Sequence, residues 1–560
     1  MLRETGATSS RALALRRRST ERFPQQWLGV GLLASLLLSP TFLRPLRAAE
    51  QLQVQLDGLS IPVQITDLVA WVRADGRSTS ELAIWLNLLE PESREGVLAL
   101  LKAPLINDRS MARQMLGSWA GRRLLDEVAD IVRFDEDSQG ITVFTTLEML
   151  LERQEQVSSL DLLEALPAER VRLDLDALLQ VASHWRQQLE RQQQLVRRLS
   201  SESVEQAEER ASGVGTIDGG SAVEAGQAAD PELQLLTVPH RSRPLRLQIW
   251  PASPGAPQRQ SWLVWMPGLG GSPDHFRWLG RDLSARGWPV LILEHPGSDT
   301  DAVQALLDGR RSPPGAEVLP DRLRDLEAVL RARREGSLQL PGQQLVLGGH
   351  SLGALTALLA AGAQPQPGLQ RRCAVALDGL PLGNLSRLLQ CQVEDVRLPQ
   401  LTPPRELVGV IGMNSFGSLL WPRDRPIDVA VPVLLTGGTL DLITPPQSEQ
   451  LGLMLAVSSH PASRAVLVQG ASHFSPVRVE GQAGGGRGED LFQLGEELVG
   501  VQPLQVQALL EAEIISFLDQ LEEPAMPSAP PAASRVLHRR IGELHLHRLD
   551  RGGAARLLAQ

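Results

Sequence analysis

The chain has 560 residues, of which 42% are hydrophobic and 21% charged, and a formal net charge of −10. That length predicts two globular domains plus tails, and the acidic balance argues against a general affinity for nucleic acid. Two cysteines, Cys373 and Cys391, are too few for a disulfide framework, and neither sits in a metal-like Cys/His cluster.

The first segment, 1–49, reads as a targeting signal. Arg11, Arg16, Arg17, Arg18 and Arg22 precede the apolar run WLGVGLLASLLL (27–38), and small residues follow near Ala49. Basic, apolar and small segments in that order predict a secretory signal and export to the periplasm or beyond. The run is short of the ~20 residues that a transmembrane helix needs. Arg47 is a poor residue ahead of a cleavage site, so retention as an uncleaved anchor stays open.

Residues 50–199 read as a mainly α-helical domain. Ser78 and Glu81 have capping-box spacing, and Leu82, Trp85, Leu86 and Leu89 recur on one helical face. Further helices are expected over 67–73, 92–102, 110–132, 145–154, 159–165 and 174–199, the last as a solvated helix. A Gly-rich polar stretch then predicts a linker over 200–232.

From 233 to 522 strands alternate with helices. Eight strands are predicted, over 233–238, 245–250, 261–266, 290–294, 344–349, 373–377, 431–436 and 465–469. Helices are expected over 276–286, 320–334, 352–362 and 445–456. This alternation implies a mostly parallel sheet covered on both faces, with any site at the carboxyl ends of the strands.

The fifth strand runs into Gly349-His350-Ser351-Leu352-Gly353, a G-x-S-x-G followed by an apolar helix. A serine on a tight strand-to-helix turn needs small neighbours, so the pattern marks Ser351 as a nucleophile. Serine needs a base. His473 follows the eighth strand, where it can swing over Ser351. His295 ends the fourth strand and reads better as a loop-shaping residue, while the ring of His350 is expected to point away from the hydroxyl. Two aspartates compete to orient His473: Asp441 after the seventh strand and Asp378 after the predicted sixth, with Asp441 preferred. A Gly-rich loop after the third strand, Pro267 to Gly271, offers the Leu269 N–H. Paired with the Leu352 N–H it would form an oxyanion hole.

With these pieces in place, residues 233–520 resemble the α/β-hydrolase superfamily. PGLGG, GWPVLILEHPGSD, GGHSLGA and LDGLPLG look like the platelet-activating-factor acetylhydrolase group. GGTLDLITP and GASHFS look like the dienelactone-hydrolase, lipase and polyester-hydrolase group. The whole plan is similar to exported cyanobacterial-type α/β-hydrolases with a helical N-terminal domain of unknown function. The two groups place the acid differently, the first matching Asp378 and the second Asp441.

A long insertion, 380–430, precedes the seventh strand. Its apolar part, 407–422, reads either as a lid with Phe416 and Trp421 at the substrate or as an extra helix pair packed on the body. The end of the chain, 523–560, reads as a Pro/Ala linker and a solvated basic tail. His545 and His547 share a face there, with no third ligand in sight. QAGGGRGED (482–490) reads as a mobile loop.

The expectation is an exported serine esterase of lipase or acetylhydrolase type, needing no metal or organic cofactor. Its partner would be a small-molecule or lipid ester, with association at a membrane surface left open. Neutral His473 as base implies activity falling below ~pH 6.5. A non-catalytic envelope protein that binds through the same fold, and an acyltransferase, are the alternatives.

Overall fold

The computed structural model describes residues 50–88, 91–102, 104–106, 118–134, 141–154, 156–202, 204–205, 230–379, 383–477, 502–523, 536–541 and 544–559. The targeting segment, the Gly-rich stretch 206–229, the loop 482–490 and the Pro/Ala stretch 524–535 lie outside them.

The N-terminal region adds strands to the expected helices. Its first residues, QLQVQL, alternate polar and apolar side chains, the period of a half-buried strand. They form β1 (Gln51–Leu56), which turns back into β2 (Leu59–Gln64). Asp57 and Gly58 make the turn at φ of 49° and 76°. Both values are positive, as a two-residue hairpin turn requires. Besides β3 (Pro104–Ile106) and β5 (Val157–Ser158), which pair with each other, β4 (Val132–Phe134) and β6 (Arg170–Asp174) complete a four-stranded sheet in the order β2-β1-β6-β4.

Helices pack on this sheet, and Leu52, Ile65, Trp71 and Val171 are among the residues that close its core. One helix starts later than the capping-box spacing implies. The Ser80 Oγ, not that of Ser78, accepts the Ala83 N–H, and the helix covers only Glu81–Leu86. Ala83 is buried, Leu82 and Leu86 of the predicted face pack against the same core, and Trp85 is 66% exposed.

The long helix Leu175–Glu202 is a second correction. It is not a solvated helix: Leu195 and Leu199 enter the main core, and Gln192 is buried against the loop that carries Asp441. After it, β7 (Val204–Glu205) pairs with the edge of the large sheet.

That sheet has eleven strands rather than eight. It contains β8 (Glu232–Leu236), β9 (Leu245–Trp250), β10 (Ser261–Met266), β11 (Val290–Leu293), β12 (Gln344–His350), β13 (Leu407–Met413), β14 (Val433–Gly438), β15 (Arg464–Val468), β16 (Val536–Ile541) and β17 (Leu544–Leu549). Their order is β7-β16-β17-β15-β14-β13-β12-β10-β11-β9-β8. Strands β10 to β15 are mutually parallel. The central strands are buried on both faces, the pattern expected when helices cover a parallel sheet. The chain runs outward from β10 to β11, then returns to β12 on the other side of β10. The loops after β10 and β12 therefore leave the sheet side by side at a topological switch point, where such sheets bind ligands.

Two predicted elements change identity. CAVAL (373–377) is not a strand: Leu369–Ala376 is a helix, and its Cys373 is bonded to Cys391 in the next helix, Ser386–Gln392. The strand beside β12 is β13, from within the segment read either as a lid or as a packed helix pair. Short apolar runs do not distinguish strand from helix by periodicity. Here β-branched Val408, Val410 and Ile411 favour the strand, while Ala374 and Ala376 suit a helix.

The C-terminal segment is likewise no solvated tail. β17 pairs antiparallel with β15, and the helix Arg551–Ala559 follows. The hairpin brings a third imidazole to the pair foreseen there, with His538 Nε2 2.7 Å from His545 Nδ1. Among the described residues, no group of three or more His, Cys, Asp or Glu side chains is arranged to hold a metal ion.

Candidate active site

Ser351 stands between β12 and the helix Leu352–Ala360 at φ 52° and ψ −117°. A non-glycine residue held there carries roughly 1–3 kcal/mol of backbone strain. The surroundings enforce it. The Ser351 N–H donates to Met413 O at 2.9 Å, and the strand and helix backbones nearly touch. A Cβ on Gly353 would lie 1.8 Å from Met266 O, and one on Gly349 would lie 2.4 Å from the Gly353 carbonyl carbon. Both glycines of G-x-S-x-G are therefore steric necessities of the turn.

His473 sits in the loop after β15 and Asp441 in the loop after β14. The His473 Nδ1 lies 2.9 Å from Asp441 Oδ2. The carboxylate is fully buried and saturated with donors. Oδ1 accepts the Ile443 and Thr444 N–H groups at 2.9 and 2.7 Å. Oδ2 also accepts Asn414 Nδ2 at 2.8 Å and Thr444 Oγ1 at 2.6 Å. Burial pushes this carboxyl upward, but His473 and the hydrogen bonds from Thr444 outweigh it, and the group is held below the usual carboxylate range.

The rival acid is elsewhere. With 373–377 helical, Asp378 ends no strand. It is exposed, beside Gly379 at φ 101°. The place after the strand next to β12 belongs to Asn414, which donates to Asp441 instead of orienting the imidazole itself. Asn414 carries no sequence signature, and its role became visible only once β13 was assigned.

His350 supports the neighbouring loop. Its ring lies against His473, with centroids 4.8 Å apart, and its Nε2 lies 3.0 Å from His473 O. Burial lowers the imidazole to about 3. It is therefore neutral, and its Nε2–H donates to that carbonyl. The residue between Gly349 and Ser351 thus anchors the loop carrying His473.

The Gly-rich loop after β10 is pinned from below by Arg322, fully buried on the helix Leu319–Arg334. Its Nη2 donates to Pro267 O, its Nη1 to Ser298 Oγ at 2.8 Å and its Nε to Thr356 Oγ1 at 3.2 Å. Ser298 O in turn accepts the Gly270 N–H at 2.8 Å. Arg322 thereby fixes both sides of Leu269. His295 lies in this layer, bonded through Nδ1 to Asp325 Oδ2 at 2.9 Å. Burial, aided by Arg322, lowers it to about 4, so it is a neutral structural residue.

Phe416 and Trp421, which the lid reading placed at the substrate, are fully buried in the main core. The Trp421 indole N–H donates to Gln364 O at 3.0 Å. The apolar content of 407–422 goes into β13 and the packing behind it, so these two rings present no open face. Buried Glu449 ties this segment down, accepting the Gly417 and Ser418 N–H groups and the Asn384 amide.

The model of a family described as "Alpha/beta hydrolase of unknown function (DUF1400)" matches residues 48–174. The match supports the α/β-hydrolase superfamily and, together with the mixed, largely parallel sheet, an α/β fold. The matched residues precede Ser351, Asp441 and His473 in the chain. None of the curated proteins matches it.

Proposed function

We propose that the chain is an exported serine hydrolase cleaving carboxylic esters through Ser351, His473 and Asp441. The observation that carries this reading is the buried Asp441–His473 pair at the same sheet end as a strained, glycine-flanked serine. In this reading the Ser351 Oγ attacks the ester carbonyl carbon while His473 Nε2 takes its proton. Asp441 keeps the other proton on Nδ1 and stabilises the imidazolium. The Leu269 and Leu352 N–H groups receive the negative charge that develops on the carbonyl oxygen. Collapse expels the alcohol, which takes the proton from His473. Water, activated by the same imidazole, then releases the carboxylic acid and restores Ser351.

The preference for Asp441 over Asp378 rests on the five donors around the former and the exposure of the latter. Export is supported by the order of basic, apolar and small segments in 1–49 and by the Cys373–Cys391 disulfide, since such bonds persist in oxidising compartments. Among the described residues no helix is long and apolar enough to cross a membrane.

A series of p-nitrophenyl esters of rising acyl length tests the reaction class. The wild-type chain is expected to hydrolyse at least one member and Ser351→Ala none above background. If an added alcohol acceptor captures the acyl group in preference to water, the reading changes to acyl transfer.

A further inference from the structure

A cavity of about 500 Å³ opens where the helix Leu175–Glu202 faces the hydrolase body. Three arginines line it, each from a different segment: Arg191 from that helix, Arg387 from the helix Ser386–Gln392, and Arg423 from the loop ahead of β14. The one carboxylate on its wall is Asp378. Acidic groups outnumber basic ones over the whole chain, 65 to 55, yet here three guanidiniums meet a single acid.

Most arginines of the body are engaged: Arg241 with Asp325, Arg259 with Asp519, Arg548 with Glu513. Among the described residues, none of the three cavity arginines makes an ion pair or a side-chain hydrogen bond. The Arg387 Nε is buried without a partner. Leaving a buried charged donor unmet is costly, and like charges gathered around one space repel. Both costs fall if an anion occupies the cavity. The amides of Gln188 and Gln447 also line the wall, adding neutral donors around the same space.

We propose that this cavity binds a phosphoryl oxyanion, either free phosphate or the phosphate of a lipid headgroup. Guanidinium forks match the oxygens of phosphate in pairs, and a tetrahedral anion can meet donors that arrive from three directions. The site is distinct from Ser351 and does not depend on ester cleavage. It abuts the acid loop, because Pro445, Gln447 and Ser448 on its wall directly follow Thr444, which donates to Asp441. The helix from the N-terminal region contributes one guanidinium, so an occupant would also bridge that helix to the body.

The test uses the full chain carrying Ser351→Ala, so that binding is read apart from any hydrolysis. Inorganic phosphate is titrated by calorimetry against potassium chloride at matched ionic strength. Sedimentation compares vesicles of phosphatidic acid in phosphatidylcholine with vesicles of phosphatidylcholine alone. Binding of phosphate, weakened about tenfold or more by Arg387→Gln with Arg423→Gln, supports the site with free phosphate as the source. Binding only to the phosphatidic acid vesicles, lost in the same double variant, supports it with the headgroup as the source. Exposed Arg191→Gln serves as the second variant should the double variant melt early, and it is expected to weaken the same binding. Asp378→Asn, which removes the opposing carboxylate, is expected to tighten it. No binding of either probe, or binding unchanged by the arginine substitutions, overturns the proposal.

Discussion

Asp441→Asn is expected to lower kcat by ~10⁴-fold, the loss typical when a buried triad carboxylate becomes an amide. The reason is the tautomer. Asp441 Oδ2 receives the Nδ1 proton of His473, which leaves Nε2 free to accept the serine proton. An amide nitrogen in that place donates to Nδ1, puts the ring proton on Nε2, and removes the base. Asn414 and Thr444 compound the effect, since both already donate to Oδ2 and would face another donor. Asp378→Asn, at an exposed turn, should leave kcat within about twofold, the range of a neutral surface change. Parallel kinetics on the two variants decide the assignment. A collapse of activity in Asp378→Asn with Asp441→Asn intact would move the acid to the other position.

Arg322→Met is expected to lower kcat about 100-fold with a much smaller change in KM. Arg322 touches neither substrate nor reacting atoms. It acts through the Gly-rich loop, holding Pro267 O and, by way of Ser298, the Gly270 N–H on either side of Leu269. Losing an oxyanion donor typically costs 10²–10³ in kcat, and a misplacement of about 1 Å can cost as much as ~10². Arg322→Lys should recover only part of the rate, because a single ammonium cannot reach three acceptors in a fork. A merely structural role would instead lower the melting temperature and leave kcat per folded molecule unchanged. Kinetics corrected for folded fraction separate the two.

The sequence showed most where chemistry and local geometry coincide. G-x-S-x-G needs its glycines for contacts within a few residues of Ser351, so the elbow was readable from one short stretch. Asp441 and His473 could be placed because each follows an apolar run in a loop of fitting order. The alternation in QLQVQL with Asp57-Gly58 is a hairpin signal, and LHLHRL (544–549) alternates in the same way. What leaves no local mark is the place of each hairpin in a sheet, which depends on a strand distant in sequence, β6 for the first and β15 for the second.

What sequence could not carry were contacts made across the fold. Arg322 resembles any helical arginine until its burial beneath Pro267 is seen. Gln192 resembles a solvated helix residue until its amide is found donating to Asp441 O at 3.1 Å. The exchange of 373–377 for 407–413 as the strand beside β12 had the largest consequence. It withdrew Asp378 from the strand end, put Asn414 behind Asp441, and turned Phe416 and Trp421 from pocket walls into core.

The proposal that Ser351 is an activated nucleophile is tested most directly by mass-spectrometric mapping of a fluorophosphonate adduct on the folded chain. The expected result is one adduct on Ser351, absent in Ser351→Ala and formed far more slowly in His473→Ala. A folded chain that takes up no label and hydrolyses no ester would contradict the account, as would an adduct on any other serine.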